Sequence, residues 1–415
     1  MKKALENIRV LDLSRILAGP FCTQTLGDLG ADIIKVERPE SKNKGGGDDT
    51  RRWGPPFVKD GNGQDTSESA YYLSCNRNKK SIAIDIRKPE GQKIIKDLIA
   101  QSDVVIENFK TGGLKKYGLS YDDLKNDYPH LIYCSITGFG QNGPLAHEPG
   151  YDFLAQAMAG LMACTGEPEG SPMKVGVALS DVITGLNAAV GILAALNHRR
   201  ETGKGQHIDL ALTDCTLSSL TNIAQYYLTA GKPAKRQGNA HPTIVPYQAF
   251  EALDGFVILA VGNDSQFARF AKFAGRPEWA EDERFAHNQN RVLNREILVP
   301  LIKDIIFTKN MDHWMSGLHE ANVPCGPVNT MDKVFEDPQI QSRNMKIEMK
   351  HPLSPDPVNL VGSPIKLSET PASYDLPPPI CGQHTEEILK NLLDFNDADV
   401  AELLNKEIVG KGNQS

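Results

Sequence analysis

Short apolar runs alternate with helical patterns through the first part of the chain. Residues 8–13 (IRVLDL) and 33–37 (IIKVE) have the composition of strands, and residues 21–29 between them predict a short helix. A strand–helix–strand unit pairs its strands in parallel, and helices then cover both faces of the sheet. The pattern therefore predicts an α/β fold built on a parallel sheet.

The alternation continues along the chain. Further strands are expected at residues 80–85, 103–107 and 131–136, with a helix at 91–101. Strand-like residues 175–179 precede a long apolar helix from Asp181 to about residue 197, and another helix is expected over residues 215–230.

Chain length and composition predict the domain organisation. A chain of 415 residues exceeds the roughly 250 to 300 residues at which single cores stop growing. The polar, Gly/Pro-rich stretch at 231–246 is typical of a domain crossing. We expect a large domain over residues 1–230 and a smaller one over 231–330. A Pro-rich return over 331–415, containing a helix at 385–393, should pack on the large domain.

Charge and hydropathy exclude several classes of partner. The net charge is −7, from 45 basic and 52 acidic residues, so no field would attract nucleic acid or an anionic membrane. The first residues lack the apolar run of a signal peptide. Residues 183–196 are apolar but fall short of the roughly 20 residues that span a bilayer. We expect a cytoplasmic protein with no membrane partner.

The seven cysteines are scattered along the chain. None forms a C-x-x-C pair or a Cys/His pair with zinc-ligand spacing. No structural metal or disulfide framework is expected.

Residues 138–143 (GFGQNG) follow a predicted strand and match the G-x-G-x-x-G pattern of dinucleotide sites. Such a site needs a helix to begin there, so that its amides meet the pyrophosphate. Glu148, Pro149 and Gly150 break a helix almost at once. A nicotinamide-dependent oxidoreductase therefore remains only an alternative hypothesis.

Asp181 stands at the predicted start of the long apolar helix. One interpretation is an N-cap, whose carboxylate accepts a helix amide. The other is a nucleophile that the helix dipole keeps ionised, since only the ionised form attacks a thioester carbonyl. The local sequence leaves both open.

A set of basic residues follows the strands of the first domain. Arg15, Arg38 and Arg87 come at or just beyond strand carboxyl ends, where open α/β sheets bind ligands. A phosphorylated nucleotide would suit them. His241, in a polar loop, is a further acid or base candidate. The other members of the basic set are Lys79, Lys80, Lys115 and Lys116.

Several longer motifs resemble one enzyme family over nearly the whole chain, the class III CoA-transferases. The motifs are at residues 10–13 (VLDL), 17–20 (LAGP), 27–32 (GDLGAD), 34–38 (IKVER), 78–81 (NKKS), 107–109 (ENF), 138–144 (GFGQNGP), 150–152 (GYD), 202–206 (TGKGQ) and 323–328 (VPCGPV). The resemblance implies a Rossmann-like large domain, a smaller α+β domain and a dimer of interlocked ring-shaped subunits. It also implies that CoA is a substrate rather than a resident cofactor.

The resemblance assigns roles to individual residues. Asp181 matches the family's carboxylate nucleophile, and Tyr151 matches a tyrosine beside the reacting thioester. The implied CoA pocket comprises Arg15, Leu17, Ala18, Arg38, Ile84, Arg87, Asn108, Phe109, Lys116, Tyr117 and Tyr151. Racemases of the same superfamily carry a histidine where this chain has Tyr151, so racemisation, which needs an acid–base pair, is the less favoured alternative.

Within the family the likeness is greatest to the succinyl-CoA:glutarate CoA-transferases. It rests on residues 47–57 (GDDTRRWGPPF), 132–137 (IYCSIT) and 244–250 (IVPYQAF). Succinyl-CoA as donor and a short dicarboxylate as acceptor are implied. Arg51 and Arg52, in an expected surface loop, and His241 are candidates to bind the acceptor. The glycine-run loop of formyl-CoA transferases is replaced here by residues 238–242 (GNAHP).

Overall fold

The computed structural model describes residues 2–40 and 45–412. Strands and helices alternate through the first 230 residues. The strands are β1 (Arg9–Asp12), β2 (Asp32–Glu37), β3 (Phe57–Lys59), β4 (Asp65–Ser69), β5 (Lys79–Ile84), β6 (Val104–Glu107), β7 (Ile132–Thr137) and β8 (His207–Ala211). The helices are α1 (Ala18–Asp28), α2 (Ala70–Leu73), α3 (Pro89–Ala100), α4 (Tyr121–Leu124), α5 (Asp152–Met158), α6 (Leu161–Cys164), α7 (Leu179–Thr202), α8 (Leu212–Ser219) and α9 (Thr221–Ala230).

Shorter strands and amphipathic helices make up the remainder. The strands are β9 (Tyr247–Ala252), β10 (Gly255–Ala260), β11 (Cys325–Pro327), β12 (Lys346–Met349), β13 (Val358–Val361) and β14 (Val409–Gly410). The helices are α10 (Asp264–Phe273), α11 (Asn288–Leu293), α12 (Arg295–Ile306), α13 (Met311–Glu320), α14 (Met331–Glu336), α15 (Pro338–Ser342), α16 (Thr385–Leu393) and α17 (Asp397–Asn405). Single 3₁₀ turns occur at Asp49–Arg52, Lys115–Tyr117 and Pro277–Ala280.

A mostly parallel sheet organises the first part of the chain. In residues 2–40 and 45–412 it has seven strands, in the order β14-β5-β2-β1-β6-β7-β8. Every neighbouring pair is parallel except the antiparallel pair of β14 with β5. The predicted α/β class with a parallel sheet is confirmed.

Both faces of this sheet are buried, which explains why its strands are nearly continuous apolar runs. Neighbouring residues of a strand point to opposite faces, so Leu11 joins one buried cluster and Val10 the other. Side chains of α3 and α16 complete the first cluster, and those of α1 and α7 complete the second.

The chain divides into two compact units. The first comprises residues 1–161, 175–224 and 341–415, and the second comprises residues 162–174 and 225–340. The first unit thus includes β14 and α16 of the expected C-terminal return, whereas residues 331–340 of that return belong to the second unit. The second unit has its own core, in which Phe250, Phe267 and Trp314 are buried around an antiparallel sheet of β9, β10 and β11. Its boundaries differ from the predicted ones at residues 230 and 330.

Three local expectations are corrected. Residues 175–178, all of them described, form no strand, and α7 begins at Leu179 rather than at Asp181. The expected helix over 215–230 is two helices, broken at Leu220. Residues 138–150, also described, contain no helix after β7, so the G-x-G-x-x-G pattern lacks the helix that a dinucleotide site requires.

Helix α7 is the main apolar helix of the first unit. Among the described residues it alone is long and apolar enough to cross a membrane, by length and composition. Ala188, Ala189, Ile192 and Ala195 on one of its faces are buried in the second apolar cluster of the sheet. It therefore serves as a core helix of this unit.

Candidate active site

A cavity of about 460 Å³ opens at the carboxyl ends of β1, β2, β5 and β6. After β1 the chain adds β2 and β5 on one side of that strand, and then adds β6 and β7 on its other side. A crevice forms where the strand order reverses in this way, which is where such sheets bind ligands. Six of the residues expected to contact CoA line this cavity: Arg15, Arg38, Ile84, Arg87, Phe109 and Tyr117.

The floor of the cavity carries buried charges that neutralise one another. Lys35 donates to the Asp48 carboxylate and to the backbone carbonyl of Ser14, each at 3.0 Å. Glu37 accepts two bonds from Arg51, at 2.7 and 2.8 Å. Although burial opposes it, the Arg51 guanidinium keeps the pKa of Glu37 below its usual range. The floor is therefore ionic but already paired.

The rim of the cavity carries more exposed arginines. Arg87 is 68% exposed and pairs with Asp85 at 2.8 Å, and Arg15 pairs with Asp49 at 2.7 Å. Exposed pairs of this kind contribute little to stability. Their guanidinium groups can therefore turn to a phosphate at small energetic cost.

Asn108 joins the ends of β1 and β6 beside the cavity. Its Oδ1 accepts from the Arg15 backbone N–H at 2.9 Å, and its Nδ2 donates to the Arg15 carbonyl at 2.7 Å. The neighbouring Glu107 carboxylate accepts from the backbone N–H of Phe109 at 2.8 Å. Burial raises the pKa of Glu107 to about 7. Asn108 thus fixes the loop that carries Arg15.

The remaining residues expected in the CoA pocket lie outside this lining. Leu17 and Ala18 are buried at the start of α1. The Lys116 ammonium lies 4.7 Å from the centre of the Tyr117 ring. Tyr151 is 65% exposed and directly precedes α5. The structure thus brings six of the eleven residues expected in the CoA pocket together around one cavity.

Asp181 lies in the first turn of α7, two residues inside the helix. The N-cap position belongs to Ala178, so the N-cap interpretation of Asp181 is wrong. The carboxylate at this helix start is Asp152 from α5. Its Oδ1 accepts from the backbone N–H of Ser180 at 2.8 Å and from that of Asp181 at 3.4 Å.

The Asp181 side chain is half-buried, and no described residue donates a hydrogen bond to its carboxylate. Burial, and then the nearby Asp152 charge, raise the pKa of Asp181 to about 7. Burial and the like charge therefore oppose the ionised state that the helix dipole is expected to favour. The nearest amides of α7 donate to Asp152 rather than to Asp181.

An aromatic pair stands near this carboxylate. Burial, and next the charge of Asp181, raise the pKa of Tyr71 to about 12. The Tyr71 ring packs edge-on against Trp53, with ring centres 5.2 Å apart. Trp53 is half-exposed and follows the turn that carries Arg52.

Close packing of two helices fixes the position of Asp181. A side-chain carbon added at Gly185, one turn along α7, would lie 2.6 Å from the backbone oxygen of Ala18 in α1. Glycine is therefore required at this crossing, and Asp181 stands on a helix that α1 holds closely.

The two acceptor-binding arginines differ in their surroundings. Arg51 is 3% exposed, and it donates to Glu37, Glu68, Tyr72 and the carbonyl of Pro379. The expectation of a surface loop is therefore wrong for Arg51, whose donors are all occupied within the protein.

Arg52 is 44% exposed and donates to the Asp49 carboxylate at 3.1 Å and to the Gly46 carbonyl at 2.6 Å. Its guanidinium is the one of the pair that solvent reaches.

His241 lies in the second unit. Its Nδ1 accepts from the backbone N–H of Thr243 at 3.2 Å, and its ring packs edge-on against Tyr247. In residues 2–40 and 45–412, no group of three or more His, Cys, Asp or Glu side chains is arranged to hold a metal ion.

Sequence reasoning missed three residues of this site: Asp152, Tyr71 and Asp49. Asp152 was visible only as the last residue of the G-Y-D motif at residues 150–152. Its bond to Ser180 joins positions 28 residues apart, which no local pattern indicates.

The sequence profile of CoA-transferase family III matches residues 5–385. The chain belongs to CoA-transferase family III. It is therefore an enzyme whose substrates are an acyl-CoA and a carboxylic acid.

Alignments with named CoA-transferases cover almost the whole of this chain. It is 45% identical over 407 residues to the succinyl-CoA:glutarate CoA-transferase of Homo sapiens, covering 98% of this chain and 90% of that protein. It is 46% identical to the succinate–glutarate CoA-transferase of Agrobacterium fabrum, over 94% of this chain and 96% of that one. A crystal structure of a CaiB/BaiF family protein from Brucella suis is also similar, with a TM-score of 0.84 and 47% identity. That match covers 94% of this chain and the whole of the other.

Proposed function

We propose that this CoA-transferase moves CoA from succinyl-CoA to glutarate or a similar short dicarboxylate, with Asp181 as the covalent carrier. The observation that carries the proposal is the state of Asp181 in the first turn of α7, a half-buried carboxylate to which none of the residues in 2–40 and 45–412 donates a hydrogen bond. The relatives named for succinyl-CoA and glutarate support the choice of substrates.

The cavity at the carboxyl edge of the sheet is the proposed site of the nucleotide part of CoA. CoA carries a diphosphate and a ribose phosphate, and Arg15, Arg38 and Arg87 line this cavity. Arginine forks match phosphate geometry and form charge-assisted hydrogen bonds. Ile84 and Phe109 supply apolar surface for the adenine ring.

The chemistry proceeds through two kinds of aspartyl intermediate. The Asp181 carboxylate attacks the succinyl carbonyl, and the C–S bond breaks to release CoA thiolate and leave a mixed anhydride. The thiolate then attacks the aspartyl carbonyl, which releases succinate and forms an aspartyl-CoA thioester. Glutarate attacks that thioester, and the thiolate freed in this step attacks the glutaryl carbonyl. Glutaryl-CoA leaves and the Asp181 carboxylate is restored.

Chemical trapping tests the covalent step. Enzyme incubated with succinyl-CoA and then with hydroxylamine should carry a hydroxamate at Asp181, detectable by peptide mass spectrometry. Asp181→Asn should lower turnover by a factor of about 10⁴ or more, since it removes the nucleophile. Asp214→Asn is a matched control, because Asp214 is an exposed acid in the first turn of α8. An unlabelled Asp181 in an active enzyme would exclude this mechanism.

We further propose that Arg52 binds the remote carboxylate of the acceptor. Arg52 is exposed and directly precedes Trp53, whose ring packs against Tyr71, and the charge of Asp181 raises the pKa of Tyr71. Arg52→Met should raise the KM for glutarate about tenfold or more and leave monocarboxylates unaffected, as expected for loss of a charged hydrogen bond. Equal losses for both acids would exclude the role.

We also infer a homodimer that covers an exposed apolar face of the first unit. Leu186, Val190 and Leu193 are exposed on α7, opposite its core face. Phe153 and Met158 are exposed on α5, which packs against α7. Contiguous apolar surface of this kind is typical of protein interfaces. Sedimentation should give a dimer for the wild type and a monomer for Val190→Asp. The interlocked arrangement and a cytoplasmic location remain proposals.

A further inference from the structure

Two carboxylates compete for the amides at the start of α7. A carboxylate that accepts helix N-terminal amides is stabilised as an anion, and its basicity falls. Asp152 accepts these amides although it belongs to another helix, α5. The Asp181 carboxylate, which belongs to α7 itself, accepts none from the described residues.

Both oxygens of Asp152 are held. Oδ1 accepts from the backbone of Ser180 at 2.8 Å, and Oδ2 accepts from Gln156 Nε2 at 2.8 Å. Gln156 is itself fixed, because its Oε1 accepts from the Val175 backbone N–H at 2.9 Å. Ser180 is held on its far side, where its Oγ accepts from Thr216 at 2.7 Å. This network fixes the start of α7.

We propose that Asp152 is a positioning residue for the nucleophile: it occupies the first-turn amides of α7 and holds a negative charge beside Asp181, and both effects leave the Asp181 carboxylate basic and open to attack a thioester. The inference rests on the proposed covalent role of Asp181. The reactivity of a carboxylate rises with its basicity, so an aspartate stabilised by helix amides would attack more slowly.

The other charged groups around α7 are engaged elsewhere. The titratable groups facing Asp181 are Asp152 of α5 and Tyr71 of α2. The charged side chains on the remaining elements packed against α7 are Asp28 of α1, bonded to Arg77, the exposed Asp214 of α8, and His207 and Asp209 of β8, bonded to Ser135 and Gln141. Burial raises the pKa of the other titratable groups on these elements, which are Cys22 of α1, Cys215 of α8, and Tyr133 and Cys134 of β7. The pKa of Tyr71 is raised to about 12, so Asp152 is the charged group that adds to burial in raising the pKa of Asp181.

The pH dependence of the first half-reaction tests the inference. The rate of acyl transfer from saturating succinyl-CoA is measured in single turnovers from pH 5 to 9. In the wild type it should rise through pH of about 7, where Asp181 ionises. Asp152→Asn keeps an oxygen to accept from Ser180 but removes the charge. Its inflection should move about one unit toward acid pH.

The plateau rate at high pH should fall as well. A Brønsted slope near one half, as for thiolates, gives a roughly threefold loss for one unit of basicity. Asp214→Asn, which removes a charge from the neighbouring helix start, should leave the inflection in place. Asp152→Ser, also an uncharged acceptor, replaces Asp152→Asn if that variant does not fold.

Each outcome bears on one proposal. A wild-type inflection near pH 4 would overturn the role of Asp152 without any variant. So would an unmoved inflection in Asp152→Asn or Asp152→Ser when Asp181 is still trapped by hydroxylamine. Failure of the wild type to form the Asp181 hydroxamate would instead remove the nucleophile itself, and trapping shows this independently of the pH profile.

Discussion

The contact between α1 and α7 at Gly185 makes a sharp prediction about how the nucleophile is held. A methyl group at Gly185 would lie 2.6 Å from the Ala18 carbonyl oxygen, 3.3 Å from the Phe21 ring and 3.4 Å from the Cys22 amide nitrogen. Ordinary carbon–oxygen contacts begin near 3.3 Å. Because the Ala18 oxygen is backbone, it cannot turn aside as a side chain could. Gly185→Ala must therefore move the two helices apart by about 0.7 Å.

The same helix offers a matched control. A methyl group at Gly191 would meet only the Ile208 side chain, at 3.3 Å. Alanine is favoured over glycine in a helix interior by about 1 kcal/mol at both positions, so this gain cancels in the comparison. Overpacking costs about 1–3 kcal/mol. Gly185→Ala should thus be less stable than Gly191→Ala by about 1–3 kcal/mol.

Stability and activity should change together in Gly185→Ala. A misplacement of 1 Å can cost about a hundredfold in rate, so a shift of 0.7 Å at the helix that carries Asp181 should lower turnover about tenfold or more. Urea unfolding of both variants and single-turnover rates with succinyl-CoA measure the two effects. If Gly185→Ala matched Gly191→Ala in both, the α1–α7 contact would not be what positions Asp181.

Three further predictions follow from the charges of the site. Arg51→Met should lower the free energy of unfolding by about 3–5 kcal/mol, because the buried carboxylates of Glu37 and Glu68 lose their cationic partner. Arg52→Met should change that free energy by less than about 0.5 kcal/mol, and urea unfolding of the two variants measures the difference. Arg38→Ala should raise the KM for succinyl-CoA roughly tenfold and leave that for glutarate unchanged, since a phosphate contact is lost; equal rises in steady-state kinetics would count against the cavity as the CoA site. The raised pKa of Asp181 means that the native state holds its proton more tightly than the unfolded state, so stability is lost as pH rises from about 4 to 7. Thermal unfolding should therefore find Asp181→Asn more stable than the wild type at pH 8 but not at pH 4, and equal differences at both would contradict the raised pKa.

Elements with local causes could be predicted from the sequence. The strands of the sheet interior appear within one or two residues of their expected bounds, because burial on both faces makes each a continuous apolar run. Arg15, Arg38 and Arg87 were placed at strand ends by counting along those runs, and they meet at one cavity because parallel strands end at the same edge.

The parts that could not be predicted depend on partners far away in the chain. Arg51 stands in a polar, glycine-containing segment, yet it is buried by Glu37, Glu68 and the carbonyl of Pro379, the last 328 residues away. Strand β14 was missed because two residues are too few to show the alternating apolar pattern of a strand. Only its pairing with β5 defines it.

Asp181 and Arg51 show that residue type and local position do not decide which group is left for chemistry. The start of α7 offers a small number of amides, and two acids stand near them. Asp152 accepts hydrogen bonds from these amides and helps to fix the helix start, whereas the Asp181 carboxylate accepts none from the part of the chain that the structure describes. In the same way, all the N–H groups of the Arg51 guanidinium donate hydrogen bonds within the protein, whereas the guanidinium of its neighbour Arg52 stays exposed. Under the proposed function, the half-buried Asp181 carboxylate is left to attack a thioester carbonyl carbon, and the exposed Arg52 guanidinium is left to bind a substrate carboxylate.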